Sequence, residues 1–405
     1  MKTSTVFSIC FALFPILNIY SITGLPGLSI GQFLLVLLIG FRILNNGFSK
    51  ILCFKAFVIY SLIITAIGIV VKGYDLVDSI YESIALILFF VIFNYTIVSA
   101  EYAKVKKWIV YVGMFALAFF VIQYILFLAG RPISGIVSFL PLSNEVNTAE
   151  FRLSQMGRER LSSIFQEPAH YSEFMSIVMA FILLKKDGNT KKKLLLSILI
   201  SATVILSMST SGAIFLALVW GAWCIYLSKQ THNGKTLLTM VILLVVTATP
   251  ILLSSYLEYI SLRFSQISFT PEASEYGFSS YIRVLRGYIP FMESDVLDQI
   301  FGHGLGTLRS YIRQNPSTMF FSVTDFNETW VNSFQYLLFM TGIIGTVLFG
   351  KQMMYFYKGS TFMGKLFILQ FISAFLSAGI LLTPTSALFL FFIEKEKELN
   401  NKNRL

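Results

Sequence analysis

The chain predicts an all-α, polytopic membrane protein with about 12 transmembrane helices, or 11 if its last apolar stretch is one span. Two long extracytoplasmic loops containing short helices complete the expected architecture. Three observations lead there. The 405 residues are 56% hydrophobic and only 13% charged, with a mean hydropathy of +0.73, which excludes a soluble domain. Apolar runs near the ~20 residues needed to cross a bilayer recur along the whole length. The two basic residue types are also segregated. Of 20 lysines, 19 fall in the N-terminus, in short links or in the tail, whereas nine of 11 arginines fall in two long polar loops.

Taken in order, the expected spans are 5–23, 27–45, 51–71, 79–99, 107–129, 169–185, 193–209, 211–228, 236–256 and 331–350, with residues 362–393 holding one long span or two short ones. Short cytoplasmic links are enriched in Lys and Arg. With Lys2 inside, Arg42/Lys50/Lys55, then Lys104/Lys106/Lys107, then Lys185, Lys186 and Lys191–Lys193, then Lys229/Lys235 and Lys351/Lys358/Lys365 all alternate onto the same side. The short outer link after span three sets Lys72 against Asp75 and Asp78. The tail, with Lys395, Lys397, Lys402 and Arg404, belongs inside too, which requires an even count and splits 362–393 near Gly379–Pro384. Both termini are then cytoplasmic, and the chain reads as one integral membrane domain, 1–405. No small-residue cleavage pattern closes the first apolar run, so it reads as a span. Cys10, Cys53 and Cys224 lie within spans, which argues against disulfides or a metal. The formal charge of +10 reflects lysines beside an anionic leaflet rather than a nucleic-acid groove.

The outer loops, 130–168 and 257–330, are long enough to be functional or disordered, and their aromatics, helix signals and glycines favour function. Their charge is balanced. Arg131, Arg152, Arg158 and Arg160 face four glutamates in the first; Arg263, Arg283, Arg286, Arg309 and Arg313 face eight acids in the second. A planar guanidinium grips phosphate or carboxylate two-handed, so the ensemble points to an anion site, although any single arginine can be an ordinary surface pair.

In the first loop, Pro168 suits the first turn of span six, where its missing N–H would be unpaired anyway. His170 then lies at the positive helix end, which favours a neutral imidazole able to take a proton from a sugar hydroxyl. Glu167 could orient that ring or accept the proton itself. An interfacial polar residue and a favourable charge at a helix start are the plainer alternatives. In the second loop, Ser279 or Ser280 can cap a helix running to about Phe291, with Arg283 and Arg286 on one face. A second short helix starts at Ser294 and stops at Phe301-Gly-His-Gly-Leu-Gly306. Gly302 and Gly304 let backbone N–H groups approach a ligand, or simply form a C-cap and turn. His303 is a second base candidate. The polar turn at Ser207–Gly212 needs no more than helix packing, and the spans read as almost free of charge, with Lys55 and Glu82 near span ends.

Arg160-Leu-Ser-Ser-Ile-Phe-Gln-Glu-Pro-Ala-His170, a larger second outer loop with Arg286 and Gly302-His-Gly-Leu-Gly306, and Asn332-Ser-Phe…Gly342-Ile-Ile-Gly345 together resemble the O-antigen polymerase and ligase superfamily, in particular the Wzy-type repeat-unit polymerases. The absence of a histidine at Val331-Asn332 leans toward polymerase over ligase. The resemblance implies a metal-independent glycosyltransferase without cofactors. It would pass a growing glycan from undecaprenyl pyrophosphate to the next lipid-linked repeat unit, in O-antigen, capsule or exopolysaccharide synthesis. Arg158, Arg160, Arg283 and Arg286 would cradle the pyrophosphate. Glu167, His170 or His303 would deprotonate the acceptor, Gly302 and Gly304 would line the ligand, and Asn332 would position sugar hydroxyls. Implied partners are the lipid-linked oligosaccharide, the bilayer, a chain-length regulator and a flippase. The rival classes are a ligase and a transporter of lipid-linked sugars, the latter disfavoured because the polar residues gather at one face.

Overall fold

The computed structural model describes residues 3–22, 25–48, 53–137, 139–142, 160–185, 189–231, 286–315, 331–379 and 381–402. The long helices are α1 Thr3–Leu17, α2 Ile30–Asn46, α3 Lys55–Lys72, α4 Leu76–Ser99, α5 Tyr102–Leu128, α6 Pro168–Leu183, α7 Thr190–Leu206 and α8 Thr210–Thr231. Three short helices follow, α9 Tyr288–Glu293, α10 Val296–Phe301 and α11 Leu308–Gln314. The last three are long again: α12 Ser333–Gly359, α13 Phe362–Ser377 and α14 Pro384–Lys402. Five of these, among the described residues, are long and apolar enough to cross a membrane, and α1, α2 and α13 are shorter apolar helices. The expected span 236–256, most of the second outer loop, and Arg158 and Arg283 lie outside the described residues.

Expected boundaries shift where local chemistry overrides the apolar run. The first two spans, read as 5–23 and 27–45, are helices that stop at Leu17 and restart at Ile30. Between them Ser21–Ile22 and Leu25–Ser29 form a small antiparallel hairpin, and Tyr20 bridges to Leu142. The helix restarts because Ser29 and Gln32 form a reciprocal capping box. The expected split of 362–393 falls between Ser377 and Pro384. The tail, however, continues α14 to Lys402, and its Glu394–Lys397 ion pair, 3.0 Å, is buried. Lys72 pairs with Asp298 of α10 rather than with Asp75 or Asp78. Asp75 instead caps α4, and Asp78 faces Arg309 at 3.7 Å.

The centre of the bundle is α14. Its Ala387–Ile393 run is apolar all round and enclosed on every side, as such a helix must be. It packs against α13, α4, α12, α1 and α6. Phenylalanines lock the layers: Phe349 stacks on Phe375 at 5.4 Å, and Phe54 packs on Phe90, Phe93, Phe349 and Phe356. Large apolar side chains on the outer faces of α3, α4 and α5, such as Val70, Val77 and Phe115, remain exposed, as lipid-facing residues are.

The helix ends sort into two faces. On one, Ser4 bonds Glu101, Arg42 bonds Ser99, and Glu396 takes hydrogen bonds from Tyr102 and Thr361. On the other, Val137 bonds Tyr20, Arg160 bonds Met208, Asp75 bonds Ser310, and Ser333 bonds Ala378. Lys104, Lys358, Lys365, Lys395 and Lys397 attend the first face; Arg131, Arg160, Arg286, Arg309 and Arg313 attend the second.

Candidate functional site

Two groups of site residues form on the arginine face. The first is built on the start of α6. Segment 160–167 is pinned to α5: Gln123 accepts from Ser163 N at 2.9 Å, and Ser163 Oγ donates to Ala116 O at 2.7 Å. Ser163 takes a positive φ of 54° there, a conformation that side chains disfavour unless the surroundings impose it. Glu167 is the extended N-cap residue of α6, Pro168 opens the first turn, and His170 follows within it; Glu167 and His170 are half-buried. Arg160 Nη2 donates to Met208 O at 2.9 Å.

Met208 belongs to the turn between α7 and α8, where it too has a positive φ of 54°. That turn is knitted by Ser209 Oγ, which accepts from Gly212 N at 3.2 Å and lies 3.0 Å from Ser211 Oγ. Gly212 brings the turn close to α6, where a Cβ would meet Ser172 Oγ at 2.7 Å. The polar turn set aside in the sequence is therefore part of Arg160's surroundings. The hint was available, since both segments fall on the arginine side of the span count, but nothing in either predicts the pairing.

Glu173 is the residue the sequence reading missed. It lies inside the expected sixth span, contrary to the reading of that span as uncharged, and its side chain is 1% exposed. Three residues beyond His170, it shares that helix face. An ionisable residue inside a membrane helix is expensive and marks function more often than packing.

The second group is built on α12. Residues 333–341 and 343–359 are two helical pieces joined at a kink, where Gly342 adopts φ 61° and ψ −169°. The break leaves the carbonyls of Phe339 and Met340 to accept from His303 N at 3.1 Å and Gly304 N at 2.8 Å. Gly302 and Gly304 have φ of 92° and 97°, and a Cβ on either would meet the backbone of α12 or α3 below 3.0 Å. Leu305 N donates to Thr65 Oγ1 at 2.9 Å. These glycines wedge a loop between two membrane helices, so the N–H groups of His303 and Gly304 are spent on α12.

His303 is held inside that wedge, 1% exposed. Its Nδ1 lies 2.8 Å from Tyr74 Oη, its Nε2 2.7 Å from Ser294 Oγ, and its ring stacks on Phe339 at 4.3 Å. Burial holds its pKa down at about 4; the nearby Asp298 opposes this and Lys72 adds to it. The ring is therefore neutral, and both nitrogens are engaged, by Tyr74 and Ser294.

Arg286 is 0% exposed and π-helical, directly before Gly287 and α9. The described part of the expected helix to about Phe291 is helical in character, since Gly287 keeps right-handed helical angles (φ −74°, ψ −12°) between Arg286 and α9. Gly287 lies against Gln335 of α12, where a Cβ would come within 2.6 Å. Whether Arg283 shares a face with Arg286 falls outside the described residues. Asn332 caps α12 in a capping box with Gln335, accepting from Gln335 N at 2.8 Å. Arg286, Gly302, His303, Gly304 and Asn332 are thus gathered along the first half of α12, and Arg160, Glu167 and His170 at the start of α6. Among the described residues no group of three or more His, Cys, Asp or Glu could hold a metal ion.

A family profile described as WcaD colanic acid polymerase matches residues 8–395. Among curated proteins nothing matches. With nearly its whole length matched and apolar helices throughout, the chain belongs to the WcaD colanic acid polymerase family: an integral membrane polymerase of polysaccharide repeat units, of glycosyltransferase type, whose substrate is a lipid-linked oligosaccharide.

Proposed function

We propose that this polymerase works without a metal at the outer face of the bacterial cytoplasmic membrane, moving the growing glycan from undecaprenyl pyrophosphate onto the next lipid-linked repeat unit. In this reading the lysine face and both termini are cytoplasmic, as the positive-inside rule requires. The start of α6 is the reacting centre. An acceptor hydroxyl gives its proton to Glu167 or His170, with Glu173 as the buried acid behind them. Its oxygen attacks the anomeric carbon of the donor, and the bond from that carbon to the pyrophosphate oxygen breaks. The departing pyrophosphate is stabilised by Arg160 and the positive end of α6, joined by Arg158 and Arg283. Arg286, being enclosed, would join them only after the turn that carries it moves. Asn332 and the glycine wedge hold the frame rather than touch sugar.

The observation that carries this reading is the placement of Arg160, pinned to the Met208 carbonyl beside the first turn of α6. Reconstitution with lipid-linked repeat units tests it. A ladder of longer chains is expected; transfer to a lipid core would indicate a ligase, and transbilayer movement without growth a flippase. Arg160→Lys keeps the charge but loses the fork, so chain growth should fall roughly 10-fold or more at unchanged protein level. Equal activity in the lysine variant rules out two-handed diphosphate binding at this position.

A further inference from the structure

On the face opposite Arg160, five lysines converge on one cleft. A cavity of about 460 Å³ opens where the first turns of α5 and α7 meet the end of α6. Lys106 and Lys107 reach it from α5, Lys185 from just beyond α6, and Lys192 and Lys193 from the first turn of α7. Among the described residues none of the five has a carboxylate within 4.0 Å, and the one acid whose charge acts on them, Glu396 on Lys106, lies beyond that distance and is taken up by Tyr102 and Thr361. The lysines that do pair, Lys72, Lys104, Lys395 and Lys397, line other parts of the molecule.

The positions of these ammonium groups are constrained. Lys106 Nζ lies 4.8 Å from the centroid of the Phe181 ring, and Lys107 Nζ lies 5.5 Å from that of Tyr111. Lys193 donates to the carbonyl of Lys185. Asn189 caps α7 by accepting from Lys191 N at 2.9 Å, so the positive end of a 17-residue helix points the same way. Like charges gathered on a partly apolar wall repel one another unless an anion joins them. The rest of the wall is hydrocarbon, with Val110, Phe181 and Leu196 inside the cleft. Tyr111 and the neighbouring Leu195 are 52% and 70% exposed on the lipid side.

We infer that this cleft binds a phosphate ester, the headgroup of an anionic phospholipid from the leaflet on the lysine face, with its acyl chains along α5 and α7. Basic pockets between membrane helices take such headgroups. The site is distinct from the one proposed for chain growth and does not depend on it.

The test uses the full-length chain in detergent and in nanodiscs. Native mass spectrometry would count retained lipid with cardiolipin, phosphatidylglycerol or phosphatidylcholine, and titration would compare inorganic pyrophosphate. The triple variant Lys106→Gln, Lys185→Gln, Lys192→Gln should weaken cardiolipin binding by roughly a hundredfold, from about 1 kcal/mol for each lysine at an anionic surface. A charge-matched control, Lys351→Gln, Lys358→Gln, Lys365→Gln, should stay within about threefold of the native protein. Thermal melting of both variants checks their fold, and the same three cleft positions as arginine should restore binding. Equal loss in variant and control, or no preference for anionic over zwitterionic lipid, overturns the site. Pyrophosphate bound as tightly as cardiolipin, and lost in the same variant, keeps the cleft but overturns the lipid as its occupant.

Discussion

His170 and His303 stand on the same face of the bundle in two regions built on opposite rules. At the start of α6, His170 is half-buried in the first turn of a helix that also carries the extended Glu167 and the buried Glu173, with Arg160 of the preceding segment bonded to the Met208 carbonyl. In the wedge against α12, His303 is sealed, stacked and hydrogen-bonded on both sides. As residue types in polar loops they are equals. What separates them is that a membrane helix broken at Gly342 leaves two carbonyls to be satisfied in a medium without water, and the glycine loop satisfies them. The glycine loop, which looks most like a ligand loop, therefore keeps two helices together.

The largest expected effect would break this contrast directly. Glu167→Gln, Glu173→Gln and His170→Gln, assayed separately for chain growth, should include one variant slowed by ~10²–10⁴-fold, the usual contribution of a general base. His303→Gln should reduce growth only as far as it lowers the amount of folded protein. A specific rate unchanged in all three and lost only in His303→Gln would reverse the assignment.

Gly302→Ala comes next. Its φ of 92° and the Met340 carbonyl at 2.5 Å from the added Cβ should together cost about 3 kcal/mol. This would be read as a lower melting temperature in detergent. Gly40→Ala, where nothing lies within 4 Å, is the matching control.

The third effect is a pH dependence. With its pKa lowered from 6.5 to about 4, His303 stays neutral in the folded chain while the unfolded chain takes up a proton. Its contribution to stability is thus full above 6.5, falls as pH drops below that, and levels off near 4. The drop should be on the order of 3 kcal/mol. Melting curves across that window should show it in the native protein and a shallower slope in His303→Gln. The smallest effect concerns Asn332. Removing its cap with Asn332→Ala should cost about 1 kcal/mol, and Asn332→Asp should restore it. Growth lost in the aspartate variant at full stability would give Asn332 a part in sugar binding beyond the frame.

Much of the fold is legible in the residues because a bilayer admits few solutions. Spans, the break before Pro384 and the first-turn position of Pro168 follow from apolar run length and from which backbone groups can go unpaired. The site is legible only in part. Arg160, Glu167 and His170 stand out as polar residues where polarity is costly, yet Glu173 was hidden inside a run read for its hydrocarbon. For Arg286 its charge says nothing of its burial: it is 0% exposed, beside Gly287, which lies against Gln335.

By itself the sequence determined the class, the alternation of faces, and the sorting of lysine from arginine, because each depends on how single residues partition between water, headgroups and hydrocarbon. The tertiary structure alone decided which polar residues meet. It brought Arg160 to Met208, set Gly302–Gly304 into the kink of α12, and collected five lysines from two helices and the link after α6 into one cleft. Those pairings are set by close packing between helices far apart in the chain, where a difference of one ångström separates a hydrogen bond from a clash, and no local pattern encodes that distance.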